Sequence, residues 1–150
     1  MQIFEVAGDR FLLRMSLGEE LMASMREFID DRNIGAAVIR GLGASQKATL
    51  AYYLMDEQRY DPIPVEGFTE VVSLIGNASW TADDQPLVHI HAGLGRPDGS
   101  MVGGHVLELV TGATMEIDLE VLPGRLSRKL DEQIGLPLLD RYQCSGITGT

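Results

Sequence analysis

The chain contains three histidines, His89, His91 and His105, and all of them fall within one stretch, LVHIHAGLGRPDGSMVGGHVLEL. Two apolar arms flank Arg96-Pro97-Asp98-Gly99, where proline suits the second turn position and glycine the last, so the stretch predicts a β-hairpin. Strand side chains alternate between faces, which sets His89 and His91 on one face and Val88 and Ile90 on the other. Counting back from a tight Arg96–Gly99 turn puts His105 opposite Ile90, on the wrong face. One extra residue in the returning arm, at Gly99 or at Gly103-Gly104, would turn His105 toward His91. Two strand histidines at i,i+2 are compatible with a plain surface pair. The third on the returning arm, with none elsewhere, argues for a metal. Three imidazoles at roughly 2.0–2.1 Å form three sides of a tetrahedron and leave the fourth open. The ion expected is zinc or a similar divalent transition metal, one per chain, since imidazole suits borderline metals.

Such a centre could serve three ends. It could belong to a recognition or regulatory module for a small ligand or a protein partner, which is the reading adopted. It could instead lower the pKa of bound water to about 7 and hydrolyse or hydrate a small carbonyl substrate. That enzyme needs a general base. Glu108 lies three residues past His105, so alternation sends it to the opposite face, and no second catalytic group can be named within the chain. A purely structural metal normally has four protein ligands, and only three are available.

The elements that must position the hairpin are legible in outline. Residues 2–7 and 10–16 predict two short strands joined at Gly8-Asp9. Ser16-Leu17-Gly18-Glu19 has the spacing of a capping box, and the helix after it carries Leu21, Met22, Met25, Phe28 and Ile29 as one apolar stripe. Asn33-Ile34-Gly35 would end it. A strand from Ala36 to Ile39 is expected to turn at Gly41-Leu42-Gly43 into a second strand, Gln46–Leu54. That glycine pair lacks the lysine and helix of a phosphate loop. Pro62 and Pro64 mark residues 55–66 as a mobile loop or an edge. Phe68–Trp80 predicts a central strand, apolar on both faces and covered on both sides, or on one side by a neighbouring subunit. After a break at Thr111-Gly112-Ala113, residues 115–122 alternate cleanly, with Glu116, Asp118 and Glu120 on a solvated face. Arg125, Arg128 and Lys129 precede Asp131-Glu132 and are expected to pair locally with acids.

The HIH tract, the turn around GRPDG and the exit GGHVLEL resemble the plants-and-prokaryotes-conserved (PPC) domain. The similarity extends through FLLRMSLGEELMASMREFID, AAVIRGLGASQKATLAYY, EGFTEVVSLIGNASW and RKLDEQIGLPLLD. The resemblance implies a compact α/β domain that assembles as a homotrimer, with prokaryotic members binding a metal, typically zinc, through such histidines. Combined with the elements above, the expected fold is α+β: mainly antiparallel sheet with one amphipathic helix packed on it, a single domain over residues 1–150. In plants the domain follows an AT-hook, and no such module is expected ahead of it here. Gly95-Arg96-Pro97 matches three of the four AT-hook core residues, but Leu94 replaces the first arginine and no cations flank it, so it is turn chemistry.

Composition bounds the partners. Twelve Lys and Arg stand against 22 Asp and Glu, a net charge of −10, and a trimer would carry three times that. Such a surface repels phosphate backbones, so direct nucleic-acid binding is not expected. The single Cys144 excludes an internal disulfide and a thiolate metal cluster. Early charges and the lack of a long apolar run predict a cytoplasmic protein with no membrane association.

Overall fold

The computed structural model describes residues 1–144. Strands β1 (Gln2–Ala7) and β2 (Arg10–Ser16) form a hairpin that leads into helix α1 (Leu21–Asp31). Two very long strands follow, β3 (Ala37–Leu54) and β4 (Arg59–Trp80), joined by a 3₁₀ turn at Met55–Glu57. Next come β5 (Pro86–Gly95) and β6 (Met101–Val121), and the described chain ends in the hairpin β7 (Arg125–Asp131) and β8 (Leu136–Gln143). The fold is mostly antiparallel sheet with one helix, in a single compact domain. The strand order is β1-β2-β6-β3-β4-β7-β8, and β5 bridges β4 to β6. Strands β3, β4, β5 and β6 therefore close on themselves, since β6 also pairs β3.

Helix α1 buries Leu21, Met22, Met25, Phe28 and Ile29, the stripe its periodicity predicts. They pack with Leu50, Leu74, Ile90, Val106, Leu109 and Met115 from the inner faces of the long strands. The cap differs from expectation. Glu19 does reach back to the Ser16 amide, at 2.7 Å. The N-cap, however, is Glu20, whose carboxylate accepts from the amides of Met22 and Ala23 at 2.9 and 2.6 Å. Its charge sits one residue nearer the positive helix end, where unpaired amides converge. Asn33 terminates the helix with φ +48°, as its tolerance of left-handed backbone allows.

Three expected breaks are absorbed into strands. Gly41-Leu42-Gly43 is a bulge inside a continuous β3, and the strand register also shifts between Ser45 and Lys47. A side chain at Gly41 would stand 2.8 Å from the Glu116 carbonyl oxygen, so glycine here permits close strand approach in place of a turn. Thr111-Gly112-Ala113 likewise lies within an unbroken β6. Pro62 and Pro64 are in β4, opposite Ala51 and Thr49. That half of β4 pairs β3 alone, because β5 first joins β4 at Glu70. It is an edge, where a missing N–H costs no ladder bond.

Phe68–Trp80 is the strand expected, but within one chain it is covered on one side only. Val71 and Leu74 are buried, while Phe68, Val72 and Ile75 are more than half exposed. A register shift between Val71 and Ser73 turns Val72 outward. Glu116, Asp118 and Glu120 do face solvent and are partly neutralised: Arg10 grips Asp118 through two bonds of 2.8 and 2.7 Å, and Arg40 reaches Glu120 at 3.0 Å. No helix among the described residues is long and apolar enough to cross a membrane.

Candidate metal centre

The hairpin turn decides where His105 points. The Gly99 amide donates to the Arg96 carbonyl at 2.9 Å, and the Arg96 amide donates to the Ser100 carbonyl at 2.8 Å. Gly99 has φ +82°, a conformation that glycine adopts without penalty. Gly99 is thus the inserted residue of a three-residue turn with a glycine bulge. From there the register runs without interruption, Gly95 to Met101 and on to His91 opposite His105. The one-residue correction raised by the spacing is made at Gly99, and Gly103-Gly104 stay in regular pairing.

The three imidazoles converge as the alternation requires. Their centroids lie 5.0–5.4 Å apart, and one ring nitrogen from each lies within 4.8 Å of the other two. The Nε2 atoms of His89 and His91 are 3.3 Å apart. Two nitrogens bound to one tetrahedral ion at ~2.05 Å would be separated by about 3.3 Å, so this pair already has the spacing of a coordination edge. The buried Nδ1 of His105 has no hydrogen-bond partner. Burial, then the neighbouring His89 and His91, push the His105 pKa down to about 4. Burial, then the Arg128 charge, lower that of His89 as well. Both are held neutral at pH 7, the form that binds a metal. The donor set therefore fits a borderline divalent ion. Among the described residues no carboxylate or thiolate joins the three histidines.

The surrounding strands hold the rings. Ile75 and Asn77 of β4 lie opposite His91 and His89, and Ala51 of β3 lies opposite His105. Tyr60 stacks on His105 with centroids 4.6 Å apart and planes 18° from parallel. Tyr53 packs edge-on against Tyr60 and donates to the Ile134 carbonyl at 2.6 Å, tying the β7–β8 turn to this end of the sheet. Beside the paired ligands, Gly93 faces Gly103, and the Met101 side chain lies against that flank, its methyl 3.2 Å from where a Gly93 side chain would start.

Arg128 is the residue whose role the local pattern concealed. It is not ion-paired with nearby acids as expected, but is buried behind His89, with Nη2 3.4 Å from His89 Nδ1. Burial pulls its pKa below the usual arginine value, yet guanidinium stays charged at any ordinary pH. It reaches the site because β7 docks beside β4 at Trp80–Ser127, a long-range contact without a local sequence signal. Arg125 does pair with an acid, but not with Asp131 or Glu132 beside it in sequence: it contacts Asp84 and lies over the Trp80 ring at 3.8 Å.

The position of Glu108 also departs from simple alternation. A bulge at Leu107 sets Val106 opposite Leu50 but Glu108 opposite Thr49, two residues from the Ala51 that faces His105. Glu108 therefore shares the face of His105. Its carboxylate is engaged by Lys47 at 3.4 Å and is not part of the histidine group.

A closed four-strand β-unit carrying a three-histidine group on its sheet is the class this architecture defines. The sequence profile of the Plants and Prokaryotes Conserved domain matches residues 3–123, and the chain belongs to that family. A plant- and prokaryote-conserved protein of Pyrococcus horikoshii is 34% identical, with TM-score 0.82, covering 91% of this chain and 94% of its own. A protein of Archaeoglobus fulgidus described as metal-containing is also 34% identical, with TM-score 0.82 and coverages of 94% and 100%. A candidate DNA-binding protein of Bacteroides thetaiotaomicron is 25% identical, with TM-score 0.88 and coverages of 93% and 96%. No functionally curated protein matches the chain. The matched profile ends before β7, so Arg128 enters the site from outside the matched segment.

Proposed function

We propose that this chain is a metal-dependent recognition module of the cytoplasm, holding one zinc-like ion on His89, His91 and His105 in a homotrimer. The observation that carries the reading is the His91–His105 register, which brings three imidazoles together with no fourth protein ligand among the described residues. When bound, the ion supplies a Lewis-acidic position open to an external ligand. The likeness to a metal-containing archaeal protein supports it. Trimer formation is supported by the bare apolar face of Leu42, Phe68, Val72 and Ile75, each more than half exposed in one chain. Such a patch marks an association surface on a soluble protein. Direct DNA binding is disfavoured by the net charge of −10, although one relative carries that description. Elemental analysis of the purified protein and of three single His→Ala variants tests the centre. One ion per chain should be found, and it should be lost in each variant; undiminished metal in His91→Ala would refute the assignment.

One observation favours a second reading, a zinc-dependent enzyme for hydrolysis or hydration of a small carbonyl compound. Glu108 lies on the ligand face, where a base is needed. Lys47 and Thr49 hold its carboxylate instead, at 3.4 and 3.5 Å. The recognition reading therefore expects no ester hydrolysis by the zinc-loaded protein. Turnover of p-nitrophenyl acetate that disappears in Glu108→Gln would reverse the order of the two.

A further inference from the structure

The space behind His89 is closed by a cation with no counter-ion among the described residues. Arg128 is only 7% exposed. Its Nε donates to Ser79 Oγ at 2.8 Å, Nη1 to the Pro137 carbonyl at 2.9 Å and Nη2 to Asn77 Oδ1 at 2.9 Å. All three acceptors are neutral, and none of the ion pairs among the described residues involves Arg128. Buried charges are ordinarily paired, because desolvating an uncompensated ion is costly. These bonds pin the β7–β8 hairpin to β4, which accounts for the donors. They leave the full positive charge unexplained.

The charge acquires a role beside the histidine group. That group contains three imidazoles and no acid. Once it holds a divalent ion, the metal and Arg128 together place three positive charges at a half-buried site without one carboxylate from the described residues. Neutralisation must come from an external ligand. Access exists through the exposed His91 ring. We propose that this centre binds small carboxylate anions, and that Arg128 is the residue that sets its preference for negative charge. The proposal rests on the metal reading above. Arg128 acts through its field across the His89 ring and so has effects of opposite sign: it favours an incoming anion and opposes the incoming metal cation. A residue that merely held the fold together would weaken both when lost.

Cobalt(II) loading gives the test, because its visible bands report what occupies the open position. Cobalt-loaded protein is titrated with acetate and with acetamide, which has nearly the same shape and no charge. Acetate should shift the bands and saturate at a concentration at least about tenfold below acetamide, because each unit positive charge about 10 Å away favours the anion by roughly 4- to 16-fold at an effective dielectric of roughly 20–40. Arg128→Gln should weaken acetate about tenfold while binding cobalt no less tightly, and Arg128→Lys should keep the preference. Equal responses to acetate and acetamide in the unmodified protein would overturn the proposal. So would Arg128→Gln with undiminished acetate affinity, and so would loss of cobalt and acetate together, which makes Arg128 a structural anchor only. Failure of the unmodified protein to take up cobalt would instead refute the metal reading itself.

Discussion

Gly104 stands one residue before His105, and a methyl group there would lie 2.7 Å from the Ala51 carbonyl oxygen. Carbon–oxygen contacts normally begin near ~3.3 Å, so β3 and β6 would have to separate by about 0.6 Å. Ala51 is the partner of His105 in the same ladder, so the separation falls at the ligand itself. Overpacking of this kind costs about 1–3 kcal/mol. At roughly 3 °C per kcal/mol for a domain of this size, Gly104→Ala should lower the melting temperature of the metal-free protein by about 3–9 °C. Metal–ligand distances tolerate only about ±0.2 Å, so zinc affinity should fall by at least about tenfold. Gly99→Ala is the comparison: its φ of +82° makes alanine strained, but nothing lies within 4 Å of the added carbon. It should cost about 1–2 kcal/mol and leave zinc bound. Melting by circular dichroism and zinc titration by calorimetry read both quantities. A Gly104→Ala protein that melts within about a degree of the parent and keeps full zinc affinity would refute the close-packing argument. Zinc loss in Gly99→Ala as severe as in Gly104→Ala would refute the distinction between strain and collision.

Acid should destabilise the metal-free protein in a defined window. His105 has its folded pKa depressed to about 4 from an ordinary 6.5, and His89 moves the same way, so the unfolded chain binds more protons between those values. Stability should be constant above pH ~6.5 and fall as pH drops towards 4, with His105 contributing at most ~3 kcal/mol, reduced by solvent screening of its half-buried ring, and His89 adding to it; urea titrations of the parent and of His105→Asn across the window measure the His105 share. Light scattering should return three times the 16.4 kDa chain mass. Val72→Glu with Ile75→Glu, on the bare face of β4, should give monomers of unchanged helix content, whereas a monomeric or dimeric parent would contradict the assembly. Fluorescence anisotropy with AT-rich and mixed duplexes at about 150 mM salt should show no binding in the 10⁻⁴–10⁻⁶ M range typical of non-specific binders. Saturation at low micromolar concentration would show that net charge is a poor guide to this surface.

Local pattern was sufficient for the helix and the histidine pair. The stripe from Leu21 to Ile29 has only one way to be buried, because a 3.6-residue period on a helix admits a single apolar face. His89 and His91 share a face in any strand, and proline and glycine at Pro97 and Gly99 specify the turn between the arms. Even the inserted residue that brings His105 across could be foreseen as a requirement, with two glycine positions able to meet it.

What only the tertiary structure decided is which strands continue and which residues meet far from their neighbours in sequence. Gly41, Gly43 and Gly112 look like turn residues by type, yet they serve close contact between long strands, and that depends on where a partner's carbonyl lies. Pro62 and Pro64 are tolerated because no strand among the described residues takes the outer edge beside them. Glu108 returns to the ligand face through a bulge set by pairing with β3, which alternation counted along β6 alone cannot register. Arg128 was grouped by its neighbours with surface ion pairs, but the docking of β7 beside β4 carries it behind His89. Periodicity is a property of one segment and can be read from it. Register, edges and the counter-charge of a buried group are properties of two segments at once, and they exist only when the chain has closed.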